Sequence, residues 1–254
     1  MSEARIPLGV GALFTQSFTL FMRHFALFVA ITGLPSLLMA AISASMFDVE
    51  TLADPTSPVA ADPLAFFTPG YLVFVFASTL VGFLIMGVVT LAAYDARSGK
   101  PVRIGDYVAR TLSQALPLVV LTILMILAFY VGVILLIVPG LYIAARFAPL
   151  VPSILVEGTG WSGLGRAQAL TKDYRWPIVG ALILLFVILV VVSAGLAALL
   201  FFLAAFGFVG EVLLGTINSV ASYGFGSVFT ALLYARLREI KEGLGIEDLS
   251  AVFE

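Results

Sequence analysis

The sequence predicts an all-α fold: a polytopic transmembrane bundle of six helices, built as three amphipathic-helix-plus-hairpin units, with N and C termini cytoplasmic. Three observations predict it. The first is composition. Hydrophobic residues make up 61% of the chain and charged residues 11%, where a soluble domain runs near half and about a quarter. The excess is gathered into runs long enough to cross a hydrocarbon core of roughly 30 Å, and the mean hydropathy is +1.14. The second is the placement of charge. Twelve of the thirteen Lys and Arg fall in the N-terminal stretch, the loops after the second and fourth apolar runs, and the C-terminal tail. The loops after the first, third and fifth runs hold no Lys or Arg, but do hold Asp48, Glu50, Asp54, Asp62 and Glu211. Basic loops stay on the cytoplasmic side, so the alternation sets the orientation. The third is a weak repeat in the segments that lead into alternate runs. The short alternating segments of a β-barrel are missing.

Residues 1–24 mix Leu13, Phe14, Phe18 and Phe21 with Thr15, Gln16, Ser17 and Arg23, a spacing that suits an amphipathic helix in the interface. The strong apolar pattern starts only near Phe25, too late for a cleaved leader. The first span covers about 26–46, and Pro35 inside it is expected to kink it. A loop with Pro55, Pro58, Pro63 and Pro69 leads to the second span, about 70–94. Residues 95–101 form a basic turn, and 102–116 a second amphipathic helix with Arg103 and Arg110. The third span covers about 117–138. Pro139-Gly140 is expected to end it in an outer turn, since proline cannot continue the ladder and glycine permits the reversal. The fourth, about 141–156, is short at roughly 24 Å, and Pro149 and Pro152 predict a bent helix. Residues 157–176 form a third amphipathic stretch with Arg166, Lys172 and Arg175. The fifth span covers about 177–202, a tight loop 205–211, and the sixth span about 214–234. Residues 1–236 are thus the transmembrane domain and 237–254 a charged cytoplasmic tail.

The repeat aligns Arg23-His24-Phe25-Ala26-Leu27-Phe28-Val29 with Gln114-Ala115-Leu116-Pro117-Leu118-Val119-Val120 and Tyr174-Arg175-Trp176-Pro177-Ile178-Val179-Gly180. Two exits also agree: Thr90-Leu91-Ala92-Ala93-Tyr94 and Thr230-Ala231-Leu232-Leu233-Tyr234, each followed closely by arginine.

Arg146 is the one base inside a span. A charge at membrane depth is costly and marks a candidate site. It is read either as a contact to a lipid phosphate or acidic substrate, with Tyr142 nearby, or as an anchor that snorkels to the outer headgroups or pairs with Glu211 or Asp62. The sixth span is rich in small and polar residues. Gly215 with Ser219, and Ser222 with Gly226, are spaced for close helix packing, and Asn218 for lining a polar cavity in the outer half. Arg103, Arg110, Arg166, Lys172, Arg175 and Trp176 are candidate headgroup contacts on the cytoplasmic face, or plain topology anchors. No span holds paired carboxylates or a metal-ligand cluster, and the single histidine, His24, has no catalytic partner at useful spacing. No catalytic residue, metal, cofactor or nucleic-acid partner is therefore expected.

Leu136-Ile137-Val138-Pro139-Gly140-Leu141-Tyr142, the stretch from Gly163 to Trp176, and Leu233-Tyr234-Ala235-Arg236-Leu237-Arg238-Glu239-Ile240-Lys241-Glu242-Gly243 carry a resemblance. The chain resembles the bacterial group known as the membrane domain of glycerophosphoryl diester phosphodiesterase, six-span proteins mostly without assigned function. The resemblance implies a bacterial inner (plasma) membrane. In some members a catalytic barrel follows the membrane part. Only a short tail follows Tyr234 here, so the enzymatic activity is not expected to carry over. The expected function is a non-enzymatic membrane module that handles or senses lipid or envelope intermediates, with membrane lipids and a second membrane protein as its contacts. A transporter or permease-like subunit is the alternative, and an intramembrane enzyme is disfavoured.

Overall fold

A computed structural model describes residues 6–46, 68–203 and 207–243, and these are helical with short connections. In chain order the helices are α1 (Val10–Arg23), α2 (Phe25–Met46), α3 (Pro69–Arg97), α4 (Ile104–Ser113), α5 (Ala115–Leu135) and α6 (Ile137–Phe147). There follow α7 (Leu150–Glu157), α8 (Gly163–Thr171), α9 (Arg175–Leu203), α10 (Phe208–Ser219), a π-helical segment (Val220–Phe225) and α11 (Gly226–Glu242). Six helical stretches are long and apolar enough to cross a membrane: Phe25–Ser43, Pro69–Arg97, Ala115–Leu135, Ile137–Glu157, Arg175–Leu196 and Val212–Glu242. The chain is a multi-pass membrane protein. The acidic loop with Asp48, Glu50, Asp54 and Asp62 lies outside the described residues.

The three lead-ins share one construction. Each short helix leads into a spanning helix through a junction residue whose N–H is bonded back to the first helix and whose carbonyl opens the second. His24, Gln114 and Tyr174 donate their N–H to Leu20, Arg110 and Thr171, and their carbonyls accept from Phe28, Leu118 and Ile178. These last three side chains are sealed in the core, at 0%, 1% and 0% exposure. The repeat is therefore real in backbone terms, but the sequence alignment is one residue out of register in its first unit: His24, not Arg23, matches Gln114 and Tyr174. Apolar runs tolerate such a slip because any large hydrophobe suits the lipid side. Only the position that enters the core fixes the register.

The Pro139-Gly140 pair is not the turn. The chain reverses at Leu136, which is extended (φ −168°, ψ 146°). Its N–H donates to Gly132 and closes α5, and its carbonyl accepts from the Gly140 N–H, at 3.5 Å, and opens α6. Pro139 sits in the first turn of α6, where its missing N–H is no loss. Gly140 serves packing instead. A Cβ built on it would lie 2.8 Å from the Val133 nitrogen, and one on Gly132 would lie 2.8 Å from the Gly140 Cα. The two glycines let α5 and α6 touch backbone to backbone.

The fourth span is Ile137–Glu157, longer than expected. It breaks as expected near Pro149, which lacks a donor, and α7 restarts with the Ser153 N–H on the Pro149 carbonyl. Pro69 opens α3 rather than breaking structure, with Thr68 accepting from the Tyr71 N–H as cap. Glu211 falls within α10, not in a loop. The last helix runs on to Glu242, and Leu237 is fully buried, so residues 237–242 belong to the bundle and not to a free tail.

Burial is uneven along the bundle axis. It concentrates at the end where α3 finishes, α7 finishes and α11 finishes, among Val89, Ala92, Ala93, Ile154, Leu155, Phe229, Leu233 and Tyr234. The two exits pack here: the Tyr94 and Tyr234 rings lie 5.9 Å apart. At the other end the spanning helices turn large apolar side chains outward, as lipid-facing helices do.

Candidate functional site

Three polar places stand out among the described residues. The first is an ionic cluster at the densely packed end, which gathers the basic segments assigned to the cytoplasm. Glu157, the last residue of α7, accepts from Arg166 of α8 at 2.7 Å and from the Tyr234 hydroxyl of α11 at 2.6 Å. Arg166 also pairs with Glu242. Arg238 reaches Glu242 at 2.8 Å and Glu157 at 3.7 Å. Arg97 at the end of α3 pairs with Glu239 and donates to the Leu232 carbonyl. The hydrogen bond to Glu157, and then that to Glu242, raise the Arg166 pKa against the opposing effect of burial. Beside this cluster, burial and then the hydrogen bond to Asp95 push the Tyr107 phenol of α4 up to about 12. Every acid in the cluster meets a base, so it clamps helix ends together and leaves no group free for chemistry.

Two of the candidate headgroup residues have protein partners here. Arg166 is spent on Glu157 and Glu242, and Arg110 donates to the Val156 carbonyl at 2.7 Å. A helix end offers orphan carbonyls and acids to nearby guanidinium groups. Arg103, Arg110, Lys172 and Trp176 remain exposed.

The second place joins α6, α8 and α9. Arg146 donates Nη2 to Gln168 Oε1 at 2.5 Å, and its own carbonyl accepts from the Thr171 hydroxyl at 2.9 Å. Arg175 donates Nη1 to the Tyr142 hydroxyl at 2.6 Å and lies over the same ring, 5.3 Å from its centroid. Trp176 packs on Tyr142 at 6.0 Å. Arg146 therefore does not climb to the outer surface. Its partners lie on the stretch that the charge count assigns to the cytoplasm, because α8 folds back along α6 and α7. Arg146 and Tyr142 do come together with Arg175, a residue the sequence placed in a different group.

The third place is a cavity of about 690 Å³ at the opposite end. It opens between the C-terminal halves of α2, α9 and α10 and the N-terminal half of α3, with Tyr223 of the π-helical segment on one wall. Asn218 lines it, and Arg146 and Tyr142 do not. The lining is apolar with uncharged hydroxyls: Ser36, Ser43, Ser78, Ser193 and Tyr223 among them. Ser193 donates to Asn218 Oδ1 at 2.8 Å, which aims the amide nitrogen elsewhere. The Tyr223 hydroxyl lies over Gly82, where a Cβ would approach it to 3.3 Å. Sequence reasoning missed these partners. Ser36 and Ser43, seven residues apart on one helical face, were the readable signal.

Of the two small-residue pairs, Gly215 faces Ala40 of α2 at 3.6 Å from its Cβ position and packs as expected. Gly226 meets nothing within 4 Å, and Gly224 takes its place against Phe21 and Thr32. The π-helical segment Val220–Phe225 breaks the ideal-turn spacing on which the Ser222–Gly226 pairing is counted.

Among the described residues, no group of three or more His, Cys, Asp or Glu could hold a metal ion. No protein family, no curated protein and no solved structure matches the chain.

Proposed function

We propose that this multi-pass protein is a non-enzymatic module of the bacterial inner membrane that holds a lipid or lipid-linked envelope intermediate in the cavity between α2, α3, α9 and α10. The observation that supports this is the chemistry of the lining. A cavity of about 690 Å³ with an apolar wall and a few uncharged hydroxyl and amide groups suits an amphipathic guest. It offers no charge to hold an ion.

The test is native mass spectrometry of the full chain released from membranes. Retained lipid is expected, with loss of most of it in Ser78→Trp, which fills the cavity, and weakening in Asn218→Leu. Equal lipid retention by the folded Ser78→Trp protein would sink the proposal. One feature favours a transporter as second reading: the π-helical wall, Val220–Phe225, is a local irregularity in a spanning helix of the kind that allows a shift in register. Movement of labelled lipid between leaflets of proteoliposomes, lost in the same variant, would select it.

A further inference from the structure

We infer that Arg146 and Arg175 form a binding site for a phosphate group, that of an anionic lipid whose acyl chains lie along the apolar tip of the α5–α6 hairpin. The site is separate from the cavity, since none of its residues lines it, and it stands whether or not the cavity holds lipid.

The argument starts from charge. Tyr142 and Arg146 stand one turn apart on α6, and Arg175 is bonded to Tyr142, so two guanidinium groups share one helix face. Their partners are neutral: the Gln168 amide for Arg146 and the Tyr142 phenol for Arg175. Among the described residues neither has a carboxylate at ion-pair distance. Asp173, close in sequence, accepts from Lys241 at 3.2 Å. This contrasts with the ionic cluster, where every base has an acid.

Hydrogen-bond accounting says the same. The Nε of Arg146 and the Nε of Arg175 are both buried with no acceptor. Among the described residues, Nη1 of Arg146 and Nη2 of Arg175 also have no acceptor, yet they are not sealed off. Donors are thus left over both in the depth of the site and at its mouth. Each guanidinium has one neutral hydrogen-bond partner and one ring contact, to Phe147 for Arg146 and Tyr142 for Arg175, but neither has a counter-charge, which an anion would supply. The planar fork of arginine matches phosphate oxygens in pairs. Lys172, exposed beside α9, adds a third cation to the approach.

The surroundings select the source. The hairpin tip, residues 134–138, is entirely apolar and more than half exposed at every position, with Ile134 at 83%. Trp176, exposed and packed on Tyr142, has the amphipathic ring that favours the headgroup zone. A phosphate that arrives with acyl chains covers both the charge and the tip, whereas free phosphate covers only the charge.

The test uses Trp176 as reporter in the full chain carrying Trp161→Phe, which leaves one tryptophan. Brominated phosphatidylglycerol and brominated phosphatidylcholine are titrated into micelles of the protein, and quenching is read. The anionic lipid is expected to quench at lower mole fraction. R146Q and R175Q should each reduce that preference by about tenfold, the worth of one charge-assisted hydrogen bond. Lys100→Gln, which removes an exposed charge elsewhere, should leave it unchanged. If either Gln variant fails to fold, R146K and R175K replace it: they keep the charge, lose the fork, and should show a smaller loss. Competition by inorganic phosphate would support the anion site and assign it to a soluble phosphate. No competition, with the lipid preference intact, would assign it to the headgroup. Equal quenching by both lipids with no effect of inorganic phosphate would overturn the inference, as would an unchanged preference in a folded R146Q/R175Q protein.

Discussion

Gly140→Ala should loosen the α5–α6 hairpin, and its size follows from the backbone contact. The new Cβ would stand 2.8 Å from the Val133 nitrogen and 3.1 Å from its Cα. Neither atom can leave by a rotamer change. To reach ordinary contact near 3.4 Å, α5 must retreat by about 0.6 Å along the whole seam. Helix association in lipid rests on dispersion contacts, which fall off over such a gap, since apolar surface gains nothing by leaving a solvent as apolar as itself. Overpacking of this kind costs about 1–3 kcal/mol. For a chain of this length that corresponds to a fall of roughly 2–10 °C in Tm, read by scanning fluorimetry of the protein in detergent. Gly180→Ala is the control, because that helical glycine meets nothing within 4 Å and alanine there should be neutral or gain up to about 1 kcal/mol. If Gly140→Ala melts no lower than Gly180→Ala, the backbone-to-backbone contact of α5 and α6 is refuted.

Two further predictions concern the charged end. Arg166→Gln leaves Glu157 and Glu242 with Arg238 as their one remaining shared base and should cost about 1–3 kcal/mol, less than a fully buried pair because these groups keep 19–27% exposure. Adding Glu242→Gln should recover part of that loss in a double-mutant cycle, and strictly additive losses would show that the pair is not coupled. Tyr107 should make stability fall with alkaline pH. Its folded pKa is raised from 10.0 to about 12, so between those values the folded state holds a proton that the unfolded state has lost. Its contribution is therefore full below pH ~10 and is lost as pH rises through about 12. Tyr107→Phe should lower stability at neutral pH and flatten that part of the profile; an identical slope in the variant would place the titration elsewhere.

The sequence by itself determined the class and the count of spans. Hydrophobicity over twenty residues is a property of composition, and lipid reads it without reference to tertiary contacts. It also determined that basic segments share one face: the residues at 97, 166 and 236–241 do meet there. The break near Pro149 was legible for the same reason, since a missing donor acts locally. Asn218 was legible as a polar side chain that needed a polar place. Register and partners were not. Only the tertiary structure decided that Leu136 turns the chain while Gly140 packs, because both conformations suit a Pro-Gly pair and the choice lies with Val133 on the facing helix. It alone showed that Arg166 belongs to Glu157 and Glu242, while Arg175, of the same stretch, belongs to Tyr142. Arg146 marks the boundary. Its sequence position announced a charge that the bilayer would not tolerate alone. Which side it faces, and that a second unpaired arginine stands beside it, depended on α8 folding back along α6, a long-range contact that no local pattern encodes.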